Sequence, residues 1–455
     1  MNQRHPLEEV VARRQCMGCG LCTAIRPSPG QTTSPAVTMA YQPTLDQFAP
    51  SVANWRPGEP TGEFVCPGAD MDMPALADAV HGRQPVDPIL GETLALRAGW
   101  AVDPEVRSRS ASGGVTTALL AHLFEEGRID AAYVVKTTQG PREAAGVLVR
   151  GTDELSEIHG SVYQPANFGA ALQALLAGQE RFAFVGLPCE IAGLEMLKRQ
   201  RPELAARHVT SIGLFCGGIN RFAGIDYYLK RFGLRLDGLR QIDFRSGPWP
   251  GAVRALTRDG EERRIPRIRG NSRWNILRYV VAFQGPWMLA RCRLCPDQVA
   301  DFADIAVGDP HLPRFRARGG QGFSAVISRT PRGEALVSSA LAAGAIGEEP
   351  ISRNEVVESQ GYTLDNRRHV RASQRVARFL GFKPPNIRVY EALEGRETAR
   401  HYRYAAVDMV KIALVRVRWL KPFYVPMQAM EYLFITFAPS LVARRVMKLI
   451  KNAPD

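Results

Sequence analysis

Three cysteines spaced three residues apart, Cys16, Cys19 and Cys22 in RRQCMGCGLCTAIRPSPG, constrain this chain more than any other feature. A loop with glycines at 18 and 20 can curl its backbone and aim three thiolates inward. Structural zinc sites usually offer cysteines in pairs, so a triplet favours an iron–sulfur cube. The bacterial ferredoxin run C-x2-C-x2-C-x3-C-P sends its fourth cysteine to a neighbouring cluster. Here Arg26 stands before Pro27, and a lone Cys66-Pro67 follows later. By ferredoxin logic Cys16, Cys19, Cys22 and Cys66 make one [4Fe–4S] site, unliganded or zinc-bound thiols being the plainer alternative.

At 455 residues the chain can hold two or three domains and bury a full core. Eight cysteines in that length do not form a disulfide framework. The polar start, Met1 to Glu9, has no secretory leader pattern, which points to the cytoplasm and to reduced thiols. The formal charge is +13, with ten Lys/Arg against three Asp/Glu from Arg400 to Asp455. A second basic cluster is Arg263, Arg264, Arg267, Arg269 and Arg273. Such charge suits an acidic electron donor such as a ferredoxin, or anionic lipid; a solvated basic face is the bland reading. No nucleic-acid motif accompanies it, so nucleic acid is not an expected partner.

The chain divides into three stretches. Residues 1–85 carry the cysteine triplet in proline-spotted sequence, as expected of a small domain held by metal. Residues 95–385 begin with strand and helix patterns in alternation. Helices are expected over 113–127, 166–178 and 190–198, and strands over 131–135, 182–185 and 209–215. That order predicts an α/β core with some parallel pairing. Residues 386–455 form a basic, apolar extension expected to be helical. Its stretch Tyr424 to Ala443 has one charge, Glu431, but Pro426 and Pro439 argue against an ordinary transmembrane helix. Helices packed on the core or on a partner subunit are the preferred reading. Peripheral contact of 400–455 with the inner face of a membrane, or self-association, is the alternative.

The other four cysteines form a second set. Cys189 follows the strand at 182–185, and Cys216 follows the strand at 209–215. The carboxyl ends of neighbouring parallel strands open onto one crevice, where two thiols can meet the pair Cys292-Arg-Leu-Cys295. A second four-thiolate site follows, against a structural zinc on the CxxC or a redox-active Cys189. The loop Arg109-Ser-Ala-Ser-Gly-Gly-Val-Thr-Thr117 leads into a helix, where amides and hydroxyls could cradle a phosphate. Many helices also begin on a Ser/Gly cap. It is neither a Rossmann nor a P-loop motif.

Taken together, SASGGVTTALL, GSVYQPANFGAAL, VGLPCEIAGLEML, GLFCGG, DFRSGPWPG and CRLCPDQVADFADIAVGDP resemble the beta subunit of coenzyme F420 hydrogenases and dehydrogenases. Ferredoxin-dependent divinyl chlorophyllide 8-vinyl reductase and 7-hydroxymethyl chlorophyll a reductase are relatives in that family. The resemblance covers about residues 10–350. It implies an α+β fold: a ferredoxin-like iron–sulfur domain, a central α/β flavin-binding domain with a mixed sheet, and the helical extension. It also implies FAD, two [4Fe–4S] clusters, and a ferredoxin or deazaflavin electron donor. Electrons would enter at the Cys16 set, cross to the Cys189 set and collect on FAD, reducing a C=C or C–O group of a small-molecule substrate. An electron-entry subunit acting on F420 in a larger complex is the alternative within the family; a zinc scaffold without turnover is the alternative outside it. Carried over as flavin contacts are Ser110, Ser112, Gly113, Gly114 and Thr116 on the phosphate side, with Asp304, Gly308 and Asp309. No proton donor can be assigned; His159, Tyr163 and His311 have suitable chemistry, though a structural role is the plainer reading of each.

Overall fold

The computed structural model describes residues 3–137, 140–266, 281–283, 285–414, 423 and 426. Arg267, Arg269 and Arg273 lie outside these residues, as does nearly all of the apolar tail after Leu414.

The first unit starts with a helix over Pro6–Ala12, capped by His5, and the cysteine loop follows. Gly18 and Gly20 take φ values of 80° and 74°, the left-handed turn that lets the loop curl. A hairpin of β1 (Ala36–Gln42) and β2 (Gln47–Ala53) covers it, and β3 (Asp70–Asp72) runs into a helix over Met73–His81.

The central part is a nine-stranded mixed sheet. It contains β4 (Ala95–Ala101), β5 (Ala131–Thr137), β6 (Ala144–Val149), β7 (Ala166–Asn167), β8 (Phe182–Gly186) and β9 (His208–Leu214). An antiparallel side sheet follows, made of β10 (Leu239–Ser246), β11 (Ala252–Thr257) and β12 (Glu262–Pro266). The chain then returns with β13 (Ile305–Gly308), β14 (Ser324–Ser328) and β15 (Ile346–Pro350). The order is β15-β4-β14-β13-β9-β8-β5-β6-β7, with β13, β9, β8 and β5 parallel. Phe182 to Gly186 is buried throughout, the continuous apolar run expected of a strand covered on both faces.

The expected α/β alternation is present, with two instructive differences. The first helix spans Val115–Glu125, inside the expected 113–127, because Gly113 packs on the sheet and Gly114 is its left-handed N-cap. Residues 166–178 are not one helix: Ala166 and Asn167 pair with β6, and the helix starts at Gly169. Sheet pairing overrides local propensity there.

One apolar cluster joins the first unit to the sheet. Leu21, Val65, Met71, Met73 and Leu76 pack with Phe182, Phe184, Ile191 and Leu194. The helix Pro188–Gln200 meets the cysteine unit at Gly193, where a Cβ would stand 2.1 Å from Leu21 Cδ1. Beyond the sheet, helices Gly361–Phe379 and Ala399–Leu414 pack together, and between them β16 (Asn386–Arg388) runs parallel to β3. No helix among the described residues is long and apolar enough to cross a membrane.

Candidate functional site

Cys16, Cys19, Cys22 and Cys66 together line a small apolar void of about 20 Å³, with Leu7, Val10 and Met39 around them. Gly18 N donates to Cys16 Sγ at 3.4 Å. Burial pushes the Cys16 thiol up to about 12, the Gly18 amide opposing it, and the Cys66 sulfur adds to the rise. Cys19 and Cys22 are raised by burial too, then by their sister sulfurs. The four are therefore electrostatic neighbours.

The second set assembles at the carboxyl edge of the sheet. Cys189 sits in the first turn of the Pro188–Gln200 helix, directly after β8. Pro188 opens that turn, and Glu190 reaches back to accept the Leu187 amide at 2.7 Å. Cys216 follows β9, held by its amide bond to Gln298 O at 2.9 Å. Cys292 lies on a short 3-10 turn over Ala290–Leu294, and Cys295 ends it. Gly218 N donates to Cys216 Sγ at 3.3 Å and Ile219 N to Cys292 Sγ at 3.4 Å. Burial pushes Cys295 up to about 11, the Arg291 charge opposing it. Cys189 is raised by burial, then by Glu190, Cys295, Cys19 and Cys216. Cys19 is thus a first-set sulfur whose charge is felt in the second set. Arg291 ties them mechanically: it donates to Pro67 O at 3.0 Å and to Leu294 O at 3.1 Å. Among the described residues no three His, Cys, Asp or Glu side chains converge as a single metal ion would require.

Between the two sets and the start of the Val115–Glu125 helix lies a cavity of about 320 Å³. Its wall includes Met17 and Gly18 of the first cysteine loop, Cys216 of the second set, and Glu190 between them. Ser110, Ser112, Gly114, Thr116, Gly308 and Asp309 line it as well. The helix has no side-chain cap, so the amides of its first turn are left for the cavity. The hydroxyls, expected to help cradle a phosphate, have protein partners: Ser110 Oγ donates to Val106 O at 2.7 Å and Ser112 Oγ to Phe323 O. Gly113 does not line the cavity; its amide donates to Ser324 Oγ at 3.0 Å, pinning the loop to β14. Asp304 does not reach it either. It is buried at the opposite end of β13, accepting from Ser211 N at 2.8 Å, Thr330 Oγ1 at 2.7 Å and Arg332 Nη2 at 2.8 Å.

Residues 96–173 match the N-terminal part, and residues 179–354 the C-terminal part, of the family described as coenzyme F420 hydrogenase/dehydrogenase, beta subunit. The chain belongs to this family. One of the subunits of the F(420)H(2) dehydrogenase of Methanosarcina mazei is 25% identical over 331 residues, which is 72% of this chain and 83% of that one. The beta subunit of the coenzyme F420 hydrogenase of Methanothermobacter thermautotrophicus is 23% identical, covering 58% and 86%. Coenzyme F420-dependent sulfite reductase of Methanocaldococcus jannaschii is 26% identical over 238 residues, 49% of this chain; the match spans about a third of that longer protein, 34%. In shape the chain is similar to one from the F420-reducing [NiFe] hydrogenase complex of Methanosarcina barkeri. The TM-score is 0.52 at 18% identity, over 66% of this chain and 97% of that one, a likeness of fold.

In this beta-subunit family member the matched region supplies most of the cavity wall, while the first cysteine set and the wall residues Met17, Gly18, Gln47 and Phe48 precede it. Arg245 and Trp249, in the stretch DFRSGPWPG, were not singled out from sequence, yet they organise one wall. Arg245 Nη1 meets Asp309 Oδ2 at 2.5 Å and Tyr163 OH at 3.2 Å, while Trp249 Nε1 donates to Asp309 Oδ1 at 3.0 Å. Burial alone would raise the Asp309 carboxyl, but the Arg245 charge, then His311, hold it well below the ordinary range. Tyr163 and His159 line the cavity. His159 Nδ1 lies 3.3 Å from Arg109 Nη2. His311 lies behind the wall, its ring stacked on Trp249 at 6.0 Å and its Nε2 3.8 Å from Asp309. Glu190 was also unforeseen; burial pushes it up to about 7 against the Leu187 amide bond. Gln164, next to Tyr163, is 3% exposed on the same wall. Of the basic cluster, Arg263 and Arg264 pair with Glu261 at 2.6 Å and Glu262 at 2.9 Å.

Proposed function

We propose that this chain is an iron–sulfur flavoprotein subunit exchanging electrons between a hydride-carrying organic molecule of the deazaflavin class and one-electron carriers. The observation that carries the reading is the cavity itself, bordered at once by the Cys16 loop, by Cys216 and by the amides of an uncapped helix start. A flavin accepts a hydride equivalent and releases its electrons singly, which is the conversion such a juxtaposition serves.

The residues present fit these groups. Each set offers four free thiols, Cys22 buried and the others partly buried, the donor type that holds a [4Fe–4S] cube, with backbone amides already directed at Cys16, Cys216 and Cys292. The cavity volume falls in the range that encloses a small cofactor. The first-turn amides of the Val115–Glu125 helix would bind a phosphate at the positive end of the helix dipole. Arg245 and Asp309, fixed by each other, would orient the ring side. The relatives named for F420 favour deazaflavin over ferredoxin as the organic or protein partner.

Protein purified without oxygen tests this directly. We expect about four iron and four acid-labile sulfides for each four-thiolate set, one releasable flavin, and bleaching on addition of reduced deazaflavin. A colourless chain that carries zinc and no flavin would overturn the proposal and favour a scaffold.

A further inference from the structure

Gln164 differs from the serines, Arg245 and Glu190 described on the cavity wall. It is 3% exposed, and among the described residues neither its Oε1 nor its Nε2 has a hydrogen-bond partner. Ser110 and Ser112 donate to carbonyls, Arg245 is engaged by Asp309 and Tyr163, and Glu190 accepts the Leu187 amide. A native fold rarely leaves a buried amide unsatisfied unless something outside the chain completes it. Pro165 follows directly, which restricts Gln164 to extended backbone and fixes where its side chain starts.

We propose that Gln164 reads the pyrimidinedione edge of a ring bound in this cavity. That edge presents one N–H flanked by carbonyl oxygens. A carboxamide matches an N–H and an adjacent carbonyl together, Oε1 accepting from the first and Nε2 donating to the second. An ionised carboxylate can only accept, and Leu can do neither. Apolar Phe168, Leu187 and Leu214 on the same wall suit the faces of a flat ring. The inference rests on the flavin reading of the cavity. A flavin and a deazaflavin carry the same edge, so the test has an arm for each.

Flavin-free full-length protein is titrated with FAD and with FAD methylated on the ring imide nitrogen, then with the deazaflavin coenzyme. Wild type should bind the methylated flavin about tenfold more weakly than FAD, the factor one hydrogen bond controls. Gln164→Leu should bind FAD about tenfold more weakly and no longer distinguish the methylated form. Gln164→Glu, which still accepts from the imide, should keep part of the discrimination. The flavin-free Leu variant should unfold at no lower temperature than wild type, since it removes an unpaired buried amide. A tenfold loss seen only with deazaflavin assigns the same edge recognition to the substrate ring. Unchanged affinity for both rings in Gln164→Leu, or methyl discrimination retained by it, overturns the inference. Failure of wild type to bind FAD overturns the parent reading, and the deazaflavin arm then decides Gln164 alone.

Discussion

His208 begins β9 with both ring nitrogens unpartnered among the described residues, its imidazole against Phe182 at 5.3 Å. Burial, then the Lys198 charge, holds it down to about 3, Asp304 opposing. An imidazole in the unfolded chain titrates near about 6.5. Between those values the unfolded chain takes up a proton that the folded chain refuses, so acid destabilises the fold across that window and stability returns as pH rises above it. The slope from this one group is at most about 1.4 kcal/mol per pH unit. His208→Leu should flatten the fall in urea midpoint between pH 6.5 and 4.5; an unchanged slope would refute the assignment. On the cavity wall, Asp309→Asn leaves the Arg245 guanidinium, 3% exposed, without its counter-charge. Breaking a buried pair in that way costs about 3–5 kcal/mol, readable in thermal or denaturant unfolding. A loss below 0.5 kcal/mol, about the size of an exposed pair, would show the site to be wetter than the structure has it.

Two elements set the geometry of the site. Strand β13 ends at Gly308, where a Cβ would stand 2.0 Å from the Phe215 ring, and both residues line the cavity. Gly308→Ala should displace that ring, costing about 1–3 kcal/mol of stability and weakening flavin uptake measured by fluorescence. Free uptake with unchanged stability would contradict it. The helix Gly361–Phe379 braces the segment after Cys295. Arg367 Nη1 meets Asp301 Oδ1 at 2.9 Å, and Tyr390 OH donates to Asp301 Oδ2 at 2.8 Å. Arg293, between the two cysteines, pairs with Asp408 at 2.5 Å on the helix Ala399–Leu414. Arg367→Met should destabilise the fold by about 3–5 kcal/mol, and adding Asp301→Asn should recover part of the loss, since among the described residues Asp301 is then left with only the more distant Arg329, 4.0 Å away, as counter-charge. Strand–helix alternation over 113–215 was legible because apolar periodicity is local. The β7 pairing at Ala166 was not, because its partner strand, β6, lies about twenty residues earlier.

At the scale of the whole molecule, residues 1–85 share one apolar cluster with the sheet, and β3 pairs with β16 from the far end of the described chain. Heating should therefore give one cooperative transition in calorimetry, with no early melting of the first unit. Two resolved peaks would mean that the shared cluster contributes little. The amino-acid sequence by itself determined the local chemistry: a glycine-bearing loop with three thiols, a Cys-Pro, a CxxC, and cysteines placed directly after strands. These are readable because each depends on a few adjacent residues. Only the tertiary structure decided that the Cys19 charge is felt at Cys189, that Arg291 ties Pro67 to the CxxC turn, that Asp304 is a strut outside the cavity, and that Gln164 is left unpaired. Those outcomes depend on residues brought together from distant parts of the chain, where burial sets the energy of every polar group and no local pattern records its surroundings.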